Sequence, residues 1–146
     1  MKYILTLALI SVLLSGCGGK EYSFTVRNLT GVGISSVYIR PQNSTESMAQ
    51  VLEEVLEPDT EITVKLGRLG EDDTKNGFVL EVYSAEDGSS QDLSQLHIPD
   101  GGRVTFYLDD WGLAAAVDMT DEEVMELKES DHRAYLEAND EPADGE

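Results

Sequence analysis

The sequence predicts a mainly β protein: a small antiparallel β-sandwich of six to seven strands, with one short connector helix and a peripheral acidic helix at its C-terminal end. Three observations lead there. Short segments repeatedly alternate apolar and polar side chains, the period of a half-buried strand. Clusters of Gly, Pro, Asn and Asp separate these segments at short spacing, which favours a sandwich or barrel over strands interleaved with helices. The length of 146 residues leaves room for one domain plus appendages, since a typical domain takes ~100–200.

The first strand is expected over 22–28 (YSFTVRN), with Phe24 and Val26 inward and Ser23, Thr25 and Arg27 outward. Turn formers fill 28–33 (NLTGVG), and a second strand over 34–40 (ISSVYIR) points Val37 and Ile39 inward before Pro41 stops it. Two strands this close are expected to form a hairpin. Between Ser47 and Leu56 the period changes, with Met48, Val51, Leu52, Val55 and Leu56 at i, i+3, i+4, i+7 and i+8. That stripe predicts the short connector helix, capped by Ser44 or Thr45 and ended by Pro58-Asp59.

Strand alternation resumes over 61–66 through Ile62, Val64 and Leu66, and 67–76 (GRLGEDDTKN) is expected to be a polar loop. Residues 78–83 (FVLEVY) are apolar on both faces, which suggests a central strand. Ala85-Glu86-Asp87-Gly88 is a hairpin turn whose Asp-Gly pair tolerates positive φ. Leu93, Leu96 and Ile98 mark a weaker strand, and 103–108 (RVTFYL) points Val104, Phe106 and Leu108 inward. Trp111 is expected to plug one end of the core, and Leu113–Val117 adds a seventh edge strand or a packing segment. Thr120 and Glu123 form a capping box that opens a helix running to about Ala138. Its apolar positions, Val124, Leu127, Ala134, Tyr135 and Leu136, make a poor stripe, so loose packing is expected; residues 139–146 (NDEPADGE) are expected to be disordered.

The N-terminus carries the most specific signal. Lys2 precedes an uncharged stretch from Tyr3 to Leu14, about 12 residues long. A transmembrane helix needs ~20 apolar residues, so this length fits a signal-peptide core. Leu14-Ser15-Gly16-Cys17 then resembles the lipobox of bacterial lipoproteins, a Leu followed by two small residues and a Cys. The resemblance implies cleavage before Cys17 and lipidation of its thiol by diacylglyceryl and palmitate-type chains. Each buried CH₂ is worth ~0.8 kcal/mol, so two or three chains anchor stably where one is marginal. The expected organisation is a signal peptide over 1–16, a lipidated tether over 17–21, the sandwich over 22–117, and an acidic helix with a disordered tail over 118–146.

Ten Lys and Arg against 29 Asp and Glu give a formal charge of −19. This opposes nucleic-acid binding, which needs a clustered basic face, and docking on anionic lipid. Residues 20–117 carry 17 acids and 7 bases, and residues 118–146 carry 12 acids and 2 bases. The C-terminal fifth therefore holds half the charge, as a solvating tail would. A single Cys excludes an internal disulfide framework and a thiolate metal cluster.

The body, taken in order, resembles a small extracytoplasmic β-domain found in bacterial envelope proteins of unknown function. The residues that carry the likeness are FTVRNLTG (24–31), Val37-Tyr38-Ile39 with Pro41, Leu52 to Pro58, Phe78 to Val82, Asp87-Gly88 and Val104-Thr105-Phe106. The resemblance spans roughly residues 22–108. It implies a hairpin around an Asn-x-Thr-Gly turn, a helical crossover and a second strand pair around the Asp-Gly turn, and it carries no catalytic residues.

His97, on a strand end, and His132, in the acidic helix, are the two histidines, and no Ser lies in a Gly-x-Ser-x-Gly elbow. An enzyme is not expected, and no catalytic, cofactor or metal residues are assigned. Acid pairs such as Asp109-Asp110 and Glu53-Glu54 arise by chance at this composition, so a hydrolase ranks a distant third. The runner-up is a calcium-dependent adhesion or recognition domain, drawing oxygens from Glu71, Asp72 and Asp73, from Asp109 and Asp110, and from Asp87. No EF-hand loop occurs. Asn28-Leu29-Thr30 and Asn43-Ser44-Thr45 fit a glycosylation sequon but read as turn chemistry. The expectation is a monomeric lipid-anchored extracytoplasmic protein, a non-catalytic binding or structural module held to the cell membrane or outer membrane through Cys17, with an unidentified envelope ligand and no nucleic-acid partner.

Overall fold

A computed structural model describes residues 20–44, 49–52 and 54–139. The lipobox with Cys17, and residues 140–146, lie outside them. Eight strands, one of only two residues, form two four-stranded sheets among the described residues. They are β1 (Lys20–Asn28), β2 (Ile34–Pro41), β3 (Ala49–Gln50), β4 (Glu61–Leu69), β5 (Phe78–Ser84), β6 (Ser90–Leu96), β7 (Gly102–Asp109) and β8 (Gly112–Val117). A four-residue helix α1 (Glu71–Thr74) follows β4, and α2 (Asp121–Asn139) closes the order. One sheet runs β4-β1-β7-β8 and the other β3-β2-β5-β6. The mainly β class and the C-terminal helix are as the sequence predicts, and β5 is central in its sheet.

Between the sheets the inward residues of both make one core. Phe24, Val26, Val64, Leu66, Val104 and Phe106 come from the first sheet and Val37, Ile39, Phe78, Leu80 and Val82 from the second. Phe78 meets Phe24 at 6.1 Å and Tyr22 at 5.6 Å between ring centroids. Every pair of strands is antiparallel except β1 and β7, which run parallel with Val26 opposite Val104.

The expected hairpin between the first two strands does not form. β1 pairs with β4 and β7, whereas β2 pairs with β3 and β5. The connection is an arch that carries the chain from one sheet to the other. Its cause is local: Asn28 is fully buried and its side chain organises the crossing. Asn28 Nδ2 donates to the carbonyls of Val32 and Leu56, each at 2.8 Å. Asn28 Oδ1 accepts from the Thr30 N–H at 2.9 Å and the Thr30 hydroxyl at 2.7 Å. Gly31, at φ 84°, lets the chain fold back around this knot. The same bonds put the turn chemistry expected of Asn28 and Thr30 inside the protein.

Nor do the described residues of the expected connector helix form one. Thr45 to Met48 and Glu53 are outside the described residues, but Ala49–Gln50 is strand β3, and Val51 and Leu56 also bond to the backbone of β2. The Val51 N–H donates to the Val37 carbonyl at 2.8 Å, and Ile34 and Leu56 exchange two backbone bonds. A helix this short is marginal by itself, and the edge of β2 offers partners that do not depend on nucleation. Val51, Leu52 and Leu56 are buried as the stripe requires, while Val55 is 43% exposed. The one short helix lies instead at Glu71–Thr74, inside the segment expected to be a polar loop, after a β4 that runs on to Leu69.

The C-terminal helix packs more specifically than its weak stripe suggests. Thr120 and Glu123 make the predicted capping box, with Glu123 N–H to Thr120 Oγ1 and Thr120 N–H to Glu123 Oε1, both 3.2 Å. Val124 is fully buried against Tyr107 and Ala116, with Leu127 and Ala114 partly buried beside them, so α2 covers the outer face of β7 and β8. Small side chains at 114 and 116 leave room for it. Arg27 holds the start of the helix through a two-pronged pair with Asp121, both contacts 2.8 Å. Arg103 joins Glu61 at 3.0 Å and approaches Asp121 at 3.7 Å. Part of the acidity expected to solvate a tail is thus spent on docking, and 118–139 is continuous with the sandwich.

Candidate functional site

Strand directions decide which loops meet. β1 ends at the arch, β5 ends and β6 begins at the turn around Asp87-Gly88, and β7 ends and β8 begins at Asp110-Trp111. The register places all three connections at one end of the sandwich: Ile34 lies opposite Ser84, and Asp109 opposite Gly112. Lys20, Leu69, Phe78 and Leu96 mark the other end.

At the loop end a cleft of about 260 Å³ opens between the two sheets. The arch contributes Thr30, Val32 and Gly33, whose backbone the Asn28 knot fixes. The β5–β6 turn contributes Ser84, Glu86, Asp87 and Ser89. Gly88 takes φ 74° there, as its Asp-Gly pair predicts, and its N–H donates to the Ser84 carbonyl at 3.0 Å. Asp87 Oδ1 accepts the Ser89 hydroxyl at 2.6 Å and the Ser89 N–H at 2.9 Å. These two donors, the hydroxyl first, hold the Asp87 carboxyl below the usual carboxylate range.

The third wall is β8. The side chain of Gln91 exchanges two bonds with the backbone of Leu113, donating from Nε2 to the carbonyl and accepting the N–H at Oε1, both at 3.0 Å. A neighbouring strand would bond to Leu113 in the same way. Gln91 thereby ties the edge of one sheet to the edge of the other and closes that side of the cleft. Among the described residues the walls contain Glu86 and Asp87 but no Lys, Arg or His.

Of the histidines and the acids weighed for calcium in the sequence, Asp87 lines the cleft and the others fall elsewhere. His97 is exposed and, among the described residues, makes no hydrogen bond or ion pair. His132 Nδ1 lies 2.7 Å from Asp110 Oδ2 on the outside of the β7–β8 turn. Neither histidine lines the cleft. Trp111, expected in the core, is 59% exposed. The Trp111 N–H donates to Asp109 Oδ1 at 2.8 Å, which tightens the turn and throws the indole outward, edge-on to Tyr135 of α2 at 5.2 Å between centroids.

The acids weighed for calcium are spread over both ends of the sandwich. Glu71, Asp72 and Asp73 sit in α1, where Asp73 Oδ2 caps the Gly70 N–H at 2.8 Å. Asp109 and Asp110 sit in the opposite turn, engaged with Trp111 and His132. Among the described residues no group of three or more His, Cys, Asp or Glu side chains could share a metal ion. The cleft itself was not foreseen. Its three turns were each visible in the sequence, but their convergence depends on the arch.

No protein-family model matches the chain. No curated protein sequence is significantly similar to it. Among solved structures, the fold resembles the NMR structure of a protein from Eubacterium rectale at TM-score 0.50 and 11% identity, covering 73% of this chain and 97% of that one. The likeness is one of fold.

Proposed function

We propose that this chain is a lipid-anchored protein of the cell envelope, tethered through Cys17, whose sandwich is a non-catalytic binding module with its cleft turned away from the bilayer. The observation that carries this reading is the direction of β1. The strand begins at Lys20, three residues after Cys17, and ends at Asn28 beside the cleft. Nine extended residues at ~3.3 Å each separate the two ends by roughly 27 Å. A tether of three residues brings the Lys20 end to the membrane, and the net negative charge keeps the rest of the domain from lying on anionic lipid. Loops held by a rigid sandwich at the distal end are where such domains present binding surfaces.

Three measurements test this. Cys17→Ser is expected to release the protein from the membrane and to remove the mass of the attached chains; a variant that stays membrane-bound at unchanged mass sinks the anchor. In the lipidated protein, a fluorophore on Lys75→Cys is expected to be quenched by nitroxide-labelled head groups far more than one on Glu86→Cys. Equal quenching would overturn the orientation. A photo-cross-linker at Ser90 is expected to capture an envelope component that one at Lys75 does not.

A further inference from the structure

We propose that the loop-end cleft is an alkylammonium site, which takes a primary amine on an aliphatic stem, either a free alkyl amine or the side chain of a peptide lysine. The stem lies on the apolar floor and the ammonium meets Glu86 and Asp87. The proposal rests on the binding-module reading and adds the class of ligand to it.

The charge of the walls comes first. Glu86 and Asp87 are the ionisable residues of the lining, and no basic side chain there neutralises them. Arg27 and Arg103 are committed to Glu61 and Asp121 under the start of α2. An anionic ligand would meet two uncompensated carboxylates, whereas a cation is drawn in by them.

The floor then separates an organic cation from a metal ion. Val32, Ile34, Val82, Leu108 and Leu113 line the cleft with carbon. A calcium ion takes six to eight oxygens and gains nothing from such a surface. An alkyl chain gains from burial against it, as the stems of lysine side chains do on apolar protein surface. The volume of about 260 Å³ suits a four- or five-carbon amine and falls short of the ~300–1,000 Å³ of pockets for larger organic ligands.

One of the two acceptors is also held in position. Ser89 donates both its N–H and its hydroxyl to Asp87 Oδ1, which fixes the orientation of the carboxylate. Both ends of the Gln91 amide are spent on Leu113, so Gln91 shapes the wall without competing for the ligand.

The test is an NMR titration of the ¹⁵N-labelled full chain in detergent at low salt. The probes are n-pentylamine, the N-acetyl, N′-methylamide derivative of lysine, and 1-pentanol as the neutral isostere. Both amines are expected to shift the backbone signals of Asp87, Ser89, Gln91 and Leu113 saturably, with pentanol at least about fivefold weaker. Glu86→Gln with Asp87→Asn, which keeps an acceptor for Ser89, is expected to bring the amines to the level of pentanol. Saturation by the lysine derivative alone assigns the source to a peptide, and saturation by pentylamine alone to a free amine; either supports the site. Equal binding of amine and alcohol, undiminished amine binding in the double variant, or no response at these residues overturns it. The binding-module reading fails by a different result: Ser90→Trp, placed to fill the cleft, would leave the capture of an envelope component by a cross-linker at Gln91 unchanged while the thermal midpoint stays that of the native chain.

Discussion

At the scale of single residues, Asn28 shows how one polar side chain redirects a chain. It is buried without charge and makes four hydrogen bonds that hold the arch together, donating to the carbonyls of Val32 and Leu56 and accepting the N–H and the hydroxyl of Thr30. An unsatisfied buried group costs ~1–3 kcal/mol, so Asn28→Ala is expected to destabilise the fold by about 3 kcal/mol or more in urea unfolding. Asn28→Asp should lose nearly as much, since a carboxylate cannot donate to Val32 and Leu56. Thr105 is the opposite case. It is fully buried on β7 and its hydroxyl has no hydrogen-bond partner among the described residues. Thr105→Val keeps the shape and removes the unpaired group, and is expected to raise stability by about 1 kcal/mol, read as a higher thermal midpoint. The Asn-x-Thr-Gly string was legible as a turn. Its burial was not, because a turn signal is the same whether the turn joins two strands of one sheet or crosses between two.

At the scale of elements, α2 is held by ionisable contacts, so its docking depends on pH in a direction that can be worked out. The hydrogen bond from Arg27 to Asp121 holds the Asp121 carboxyl below its usual range, and the same bond raises Arg27. A group with a depressed folded pKa contributes stability above its unfolded pKa and loses it as pH falls through the folded value. Asp121→Asn is therefore expected to cost about 1 kcal/mol at neutral pH, a half-exposed but two-pronged pair, and the gap to the native chain should close below about pH 4. At the alkaline side, burial first and Asp131 second push the Tyr107 hydroxyl up to about 12. The unfolded chain then ionises first, so stability should fall between pH ~10 and about 12, and less steeply in Tyr107→Phe. Trp111, the single tryptophan, lies edge-on to Tyr135 and reports the docking by its emission. The helix at Thr120 was readable because a capping box is a local device. The helix expected over 47–56 was not there to be read, because its apolar spacing serves equally a segment that buries Val51, Leu52 and Leu56 along a sheet edge.

At the scale of the whole molecule, the parallel pairing of β1 with β7 follows from the arch. Once β1 hands the chain to the other sheet, the place beside it is taken by a strand that enters from the same end. That arrangement sets the Lys20 end and the loop end at opposite poles and brings the arch, the Asp-Gly turn and the β7–β8 turn to one rim. By itself the sequence determined the mainly β class, most strand positions and their inward faces, the Asp-Gly turn and the capped terminal helix. Each of these rests on side-chain period or on bonds between residues close along the chain. Only the tertiary structure decided that the first two strands part company, that Trp111 faces outward, that α2 is clamped by Arg27, and that a cleft with two carboxylates and an apolar floor exists. Those features depend on which distant backbone edges and charges meet, and contacts between residues far apart in the chain leave no periodicity behind in it.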